Sequence, residues 1–284
     1  MNHEQGSTEW LEWRNKGIGS SDAPIVMGIS PWKTPFQLWE EKTGKRDPDD
    51  LSGNPAVQMG ITMEPVARDA YEDKYGHLVE PLTLISPNHD FMRCSYDGIP
   101  MDRTFAFETK YSKHSFNEAA DGDVPEIYIP QLDHQLACLP TATHVDFWAF
   151  WEGKGALVRH ERDEGRIEDL VEAEERFWKM VQQDVAPELT SRDYKARYDD
   201  EWRIEAELYL SLKDESDSVA ERMRESKKRL EALADGQSSI GGGVRLIRSF
   251  RKGTVDYKNI PELGDINLDD YRRKGSFTTS IRRL

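Results

Sequence analysis

The residues of this sequence best suited to chemistry are carboxylates gathered around an amine. In the segment FAFETK, residues 105–110, a strand period of two sends Phe105 and Phe107 to one face and Ala106, Glu108 and Lys110 to the other. A carboxylate and an ammonium then share one surface. An acidic residue followed two positions later by Lys occurs seven times in the chain, so the pattern alone carries little. Glu108 stands apart through its surroundings. Asp97 closes the preceding run of strand type, just before a turn at Gly98, and a hairpin there brings its carboxylate toward Glu108. Glu64 lies on the apolar stripe of an upstream helix, where an unpaired charge costs on the order of several kcal/mol unless a cation or donor offsets it. Converging carboxylates without His or Cys partners suit a hard cation, Mg²⁺ or Mn²⁺, which keeps waters for the chemistry. Gln131 and Gln135 are one helical turn apart and reach the same place or a bound water. The same residues also admit a plainer reading, with Glu64 paired to Arg68, Asp97 capping a turn and the glutamines at the surface.

The elements that must hold these groups follow from periodicity and punctuation. Thr8 to Lys16 reads as a short helix, followed by a strand-free, loop-rich opening through Gly17, Gly19, Ser20 and Ser21 to Ala23–Met27. Thr34 and Pro35 supply an N-cap and a first-turn proline for a helix through Lys42, with Gly44 as its stop. A longer helix from Pro55 to Tyr75 carries Val57, Ile61, Glu64, Arg68, Tyr71 and Tyr75 on one stripe. Strands are expected at Leu78–Ile85, Phe91–Tyr96 and Thr104–Tyr111 as a meander, then a helix at Pro125–Cys138, strands at Val145–Trp151 and Ala156–Arg162, and a helix at Glu164–Gln183. Strands clustered between helices define an α/β (α+β mixed) fold with a mixed central sheet. Beyond Pro187 the sequence predicts a charged helix at Asp199–Ala234, read as a solvated arm or a packing helix for an oligomer. A glycine-rich break at 236–243 and a strand at Val244–Phe250 follow.

Composition narrows the function. Apolar residues make up 37% of the 284, enough for a substantial core. No run of about 18 apolar residues spans a bilayer, and MNHEQGSTEW lacks a secretory signal, so the expected location is the cytoplasm of a bacterial host cell, with no membrane role. Two cysteines, Cys94 and Cys138, are too few for a disulfide framework or a four-cysteine cluster. The net charge of −15 argues against a passive nucleic-acid binder. Charge is uneven, however: Arg245–Leu284 holds ten Lys or Arg against five Asp or Glu, leaving about −20 for the remainder. Any nucleic-acid path is then a local basic groove in an acidic body.

With these residues in view the chain resembles the phage lambda exonuclease and YqaJ-type viral recombinase nucleases of the PD-(D/E)XK superfamily. The resemblance spans residues 8–185 and rests on WLEWRNKGIGSSD (Trp10–Asp22), GITMEPVARDAY (Gly60–Tyr71), SYDG (Ser95–Gly98), ETK (Glu108–Lys110) and YIPQLDHQL (Tyr128–Leu136). Asp133 departs from it, since many relatives carry a second glutamine there. The resemblance implies a nuclease domain at 1–195 and a C-terminal extension at 196–284. It makes Asp97, Glu108 and the Thr109 carbonyl metal ligands, Glu64 a ligand for a second Mg²⁺ or Mn²⁺ ion, and Lys110 the water-activating or charge-stabilising cation. Gln131 joins the catalytic set, Gln135 supports it, and Arg14 and Ser21 hold the DNA 5′ phosphate. The implied activity is 5′ to 3′ degradation of one strand of linear double-stranded DNA, leaving 3′ overhangs for a single-strand annealing protein, by a homotrimer ring. Rival readings are a structure- or sequence-directed endonuclease and a non-catalytic DNA-binding assembly protein. The latter is disfavoured by the presence of Asp97, Glu108 and Lys110 together.

Overall fold

The computed structural model describes residues 7–249. The chain divides into two units, Met1–Tyr194 and Lys195–Leu284. In the first unit, α1 (Thr8–Asn15) leads into β1 (Ile18–Gly19), a single 3-10 turn (Ser20–Asp22), α2 (Ala23–Val26), α3 (Pro35–Lys42) and α4 (Pro55–Tyr75). Three strands follow, β2 (Glu80–Ile85), β3 (Met92–Ile99) and β4 (Ala106–Tyr111), then α5 (Lys113–Asp121) and α6 (Ile129–Cys138). The hairpin β5 (His144–Trp151) and β6 (Lys154–Glu161) and the helix α7 (Glu164–Gln182) complete the unit.

The six strands form one mixed sheet in the order β1-β3-β4-β5-β6, with β2 also paired to β3. β2 runs antiparallel along β3 from Ile99 to Arg93, so β1 and β4 share the other edge, β1 beside Met92–Arg93 and β4 beside Gly98. β4 and β5 are parallel, which requires a crossover, supplied by α5 and α6. Alternation along β5 feeds two cores. Val145, Phe147 and Ala149 join Met92, Leu132, Leu136 and Phe177, whereas Trp148 and Phe150 join Ala67, Tyr71 and Phe107.

Local chemistry fixes the helix ends, with Thr34 and Pro35 opening α3 as the sequence predicts. Thr34 and Gln37 form a capping box at the start of α3, each side chain bonded to the other's backbone N–H. Asn54 caps α4, and Gly76 ends it in the left-handed conformation. Several expectations need correction. The opening is not strand-free, because Ile18–Gly19 pairs in parallel with β3. β3 continues through Asp97 and Gly98 to Ile99, so the turn expected at Gly98 falls instead at Pro100–Asp102, after the hydrogen-bonded run. The segment at 125–138 begins as a 3-10 turn before α6. α5 was not foreseen; its capping Ser112 accepts from the Ser115 N–H. The apolar stripe of α4 is buried only at its C-terminal half, with Tyr71 fully buried and Ile61 exposed.

In the second unit, α8 (Asp200–Leu233) has no buried residue and carries ion pairs one turn apart, such as Lys213–Asp217. β7 (Ser239–Gly241) and β8 (Val244–Leu246) form a hairpin after it. Phe250 and the basic tail beyond it lie outside the described residues. Among the described residues no helix is long and apolar enough to cross a membrane.

Candidate active site

The site begins where β3 and β4 part. Their register contains a single partnered pair, Gly98 with Phe107, and beyond it the strands diverge. The Thr109 N–H, left without a ladder partner from β3, donates instead to Asp97 Oδ2 at 2.9 Å. An extended residue sends its N–H and C=O to the same edge, so the Thr109 carbonyl is also on the Asp97 side. The fork thus places a carboxylate and a backbone carbonyl side by side.

Glu108, 2% exposed, is held by three donors. Gln131 Nε2 donates to Oε1 at 2.7 Å, Gln135 Nε2 donates to Oε2 at 2.5 Å, and the Lys110 ammonium bonds Oε1. The two glutamines therefore divide as their positions on α6 dictate: Gln131 reaches the open cleft, and Gln135 is fully buried behind Glu108. Asp133, between them, faces the other way and bonds His160 and Arg166. Glu64 pairs with Arg68 at 3.2 Å, as the plainer reading of α4 has it, yet stands close enough to Glu108 and Lys110 to feel both.

Electrostatics mark this cluster as short of positive charge. Burial raises the Asp97 pKa well above the usual carboxylate range, and Glu108 and Glu64 push it further; Lys110 and the Thr109 N–H oppose without prevailing. Burial likewise raises Glu64, with Arg68 opposing and Glu108 adding. Lys110 moves the other way. Burial alone would lower it, but Glu108 and Asp97 outweigh that and hold the ammonium firmly protonated.

These groups open onto a cleft of about 210 Å³ lined by Trp10, Trp13, Arg14, Ser21, Arg93 and Ser95 together with Asp97, Glu108, Lys110 and Gln131. Arg14 donates to Ser21 Oγ at 2.7 Å and to Asp22 Oδ1 at 2.8 Å. Asp22 also receives Lys42 at 2.9 Å and the Gly19 N–H at 3.0 Å. Burial would raise its pKa, but Arg14 and Lys42 outweigh burial and hold the carboxyl well below the usual range. Trp10 donates from its indole to Ser95 Oγ at 2.9 Å. The structure thus gathers Arg14, Ser21, Asp97, Glu108, Lys110 and Gln131 on one cleft, and leaves Glu64 and Gln135 behind its lining.

Sequence reasoning passed over Asp22, Lys42, Trp10, Trp13, Arg93 and Ser95. Ser95 and Arg93 were within reach, since period two from Asp97 puts both on the same side of β3, while Lys42 meets Asp22 only through tertiary packing.

The donor set fits a hard divalent cation in part. Among the described residues no three His, Cys, Asp or Glu side chains converge as a metal cluster. What converges is Asp97, Glu108 and the Thr109 carbonyl, oxygen donors only, with an excess of acid beside them. Gln135 Oε1, buried without a partner, is a further acceptor behind Glu108. Two carboxylates, a carbonyl and several waters are the ligand habit of Mg²⁺ rather than of zinc or copper.

The mixed sheet flanked by helices is a fold that this chain shares with solved exonuclease structures. The chain is similar in structure to an alkaline exonuclease, LHK-Exo, from Laribacter hongkongensis (TM-score 0.55, 23% identity, 63% of this chain and 94% of that one). It is equally similar to the same enzyme in complex with dAMP (TM-score 0.55, 24% identity). At this identity the likeness is one of fold. Residues 9–144 match the YqaJ-like viral recombinase domain. It is also 34% identical over 182 residues to protein YqaJ of Bacillus subtilis (strain 168), covering 62% of this chain and spanning 57% of that protein's length.

Proposed function

We propose that this protein is a Mg²⁺-dependent 5′ to 3′ exonuclease that shortens one strand of linear double-stranded DNA to mononucleotides. Its product would be a 3′ overhang for a single-strand annealing protein in phage recombination. One observation carries the reading: a single cleft joins a basic, hydroxyl-bearing end (Arg14, Ser21) to an acidic end (Asp97, Glu108, Lys110, Gln131). Similarity in fold to an exonuclease, one structure of which holds dAMP, supports it.

Hydrolysis requires water to attack the phosphorus between the first and second nucleotides while the bond to the leaving 3′ oxygen breaks. The attacking water loses a proton, and the leaving oxygen gains one. Mg²⁺ bound at Asp97, Glu108 and the Thr109 carbonyl would polarise the phosphate and favour the deprotonated nucleophile. Lys110, held protonated, acts as a fixed positive charge toward the oxygens that gain charge in the transition state, not as a base. Gln131 and Gln135 keep Glu108 in one orientation, so no reorganisation is needed during reaction. Arg14 offers a planar fork to the terminal phosphate, and Ser21 Oγ adds a hydroxyl. Each cleavage leaves a new 5′ phosphate on the strand, so the same contact is available in every cycle. We further propose a homotrimer ring, which would keep an acidic protein on DNA by topology.

The test uses linear duplex labelled at either end, with and without a 5′ phosphate, in Mg²⁺ or EDTA, with wild type and Lys110→Ala. Mg²⁺-dependent release of 5′ mononucleotides that the variant loses is the expected result. Internal cuts in closed circular DNA, or no cleavage with any divalent cation, would overturn the reading.

A further inference from the structure

β3 presents a row of side chains to the cleft. Arg93, Ser95 and Asp97 alternate with the buried Met92, Cys94 and Tyr96, so all three face the same side, and all three line the cavity. Asp97 stands at the acidic end. Arg93 is four residues away, roughly 13 Å along the strand at about 3.3 Å per residue.

Arg93 is an unusual cation. The residue as a whole is 9% exposed, yet among the described residues no carboxylate stands within ion-pair distance of it. Nη1 donates to the Asp90 carbonyl at 3.1 Å, the guanidinium lies 5.8 Å from the Trp13 ring, and Nε is buried without any hydrogen-bond partner. The Asp90 side chain is exposed to solvent, where its charge is screened. An unsatisfied buried donor on a charged group is costly, and a functional role is one of the reasons a structure retains one.

The surroundings hold Arg93 in place. His134, fully buried, donates from Nε2 to the Arg93 carbonyl at 3.0 Å and from Nδ1 to Glu174 at 2.8 Å. Gly17 packs against the other side: a Cβ there would stand 2.3 Å from Arg93 Nη1 and 2.2 Å from the Phe91 carbonyl. The glycine thus clears space for the guanidinium.

Charge counting gives the ligand class. Arg14 and Lys42 share Asp22 and together leave one positive charge; Arg93 adds a second. A terminal phosphomonoester carries close to two negative charges near neutral pH, and an internal phosphodiester carries one. We infer that Arg93 is the second guanidinium of the cleft's basic end, completing with Arg14 a site that selects a terminal phosphomonoester over an internal diester or a free hydroxyl. This inference rests on the exonuclease reading for its place in a reaction, but the phosphate site can be tested without cleavage.

Two measurements test it. In EDTA, binding of a 3′-labelled single-stranded oligonucleotide with a 5′ phosphate or a 5′ hydroxyl is followed by fluorescence anisotropy, for wild type, Arg93→Gln and Arg93→Lys. In Mg²⁺, kcat/KM is measured on duplexes with the same two ends. Wild type should prefer the phosphorylated oligonucleotide, and Arg93→Gln should reduce that preference by roughly 10- to 100-fold, the range of one charge-assisted hydrogen-bonding group. Arg93→Lys should keep part of it, because charge remains while the fork is lost. The ratio of kcat/KM between the two ends should fall in parallel. Equal loss on both ends, which a merely structural role would give, overturns the inference, as does an unchanged preference. Should Arg93→Gln fail to fold, Arg93→Lys carries the same test: a preference equal to wild type's counts against a guanidinium-specific site. If wild type cleaves nothing but prefers the 5′ phosphate in EDTA and Arg93→Gln removes that preference, the exonuclease reading falls and the phosphate site stands. Mg²⁺-dependent cleavage with no phosphate preference in EDTA would leave the exonuclease standing and remove the phosphate site.

Discussion

Replacing Gln135 by Leu separates what the buried glutamine does for the fold from what it does for the reaction. Its Nε2 donates to Glu108 Oε2 at 2.5 Å, and its Oε1 is buried with no partner. Removing a hydrogen bond to a charged acceptor costs about 1.5–3 kcal/mol, while removing an unsatisfied buried acceptor returns about 1–3 kcal/mol. Leu nearly matches the volume of Gln, so little cavity or strain adds to the balance. The two contributions nearly cancel, and unfolding stability should stay within about 2 kcal/mol of wild type, a Tm change of a few degrees. Catalysis enjoys no such cancellation. Glu108 loses one of its three donors and part of its fixed orientation, so kcat should fall roughly 10- to 100-fold, the rate equivalent of that one bond. KM for DNA should hold, because Gln135 is not part of the cleft lining. The assays are the urea midpoint in EDTA and steady-state release of mononucleotides in Mg²⁺. A stability loss beyond about 3 kcal/mol with kcat unchanged would refute the reasoning, since Gln135 would then serve the core and not Glu108.

Lys110→Ala should lower kcat by about 10²–10³-fold, as loss of one fixed transition-state charge does, while DNA binding in EDTA weakens less than about tenfold. Asp97→Asn should be inactive but more stable than wild type without metal, a difference read from thermal unfolding in EDTA. The folded Asp97 pKa is raised above its unfolded value, so its ionisation destabilises the fold above the unfolded pKa, increasingly until the folded pKa is passed. The stabilisation by Asn should therefore be present at about pH 8 and absent below about pH 3, where the carboxyl is protonated in both states. For the same reason cation affinity and activity should fall as pH drops, a trend that Mg²⁺ titrations across pH would measure. Gly155→Ala should lower Tm by several degrees, because the new Cβ would meet Trp148 Cζ2 at 1.7 Å in a filled core, an overpacking cost of about 1–3 kcal/mol.

Much of the fold was legible because its signals are local. Thr34, Pro35 and Gly44 mark α3, the helical stripe marks α4, and period two marks β5 and β6. β1 was missed because two residues carry no period; its pairing is decided by β3, more than seventy positions away. α5 was missed because KHSFNEAAD has few apolar residues, and its helix rests on Ser112 as cap and on burial of Ser115 and Ala119. Within the site, Asp97, Glu108, Lys110 and the glutamines were readable from alternation and helical spacing. The turn expected at Gly98 was not correct. Gly98 carries a negative φ and sits in the strand, so the glycine there signals a close approach by Val79 rather than a change of direction. Asp22 and Lys42 were hidden for a different reason: a buried ion pair between a 3-10 turn and a helix leaves no spacing rule to find it by.

The net charge of −15 first counts against a DNA-processing role, but a sum over the chain bears on solubility and not on any one site. In and around the cleft the charges are ordered. Arg14, Lys42 and Arg93 exceed Asp22 at one end, and Asp97, Glu108 and Glu64 exceed Lys110 and Arg68 at the other. A phosphate is welcome only at the first end; at the second, the acid excess repels a phosphodiester until positive charge offsets it. On the proposed function, cation and scissile phosphate would favour each other's binding through the same carboxylates, a coupling that linkage makes reciprocal. A terminal phosphate at the basic end needs no such help. On that proposal, the arrangement would engage a strand end first and admit the scissile bond only with the cation that hydrolysis needs, which would let an acidic protein act on DNA without a broad basic face.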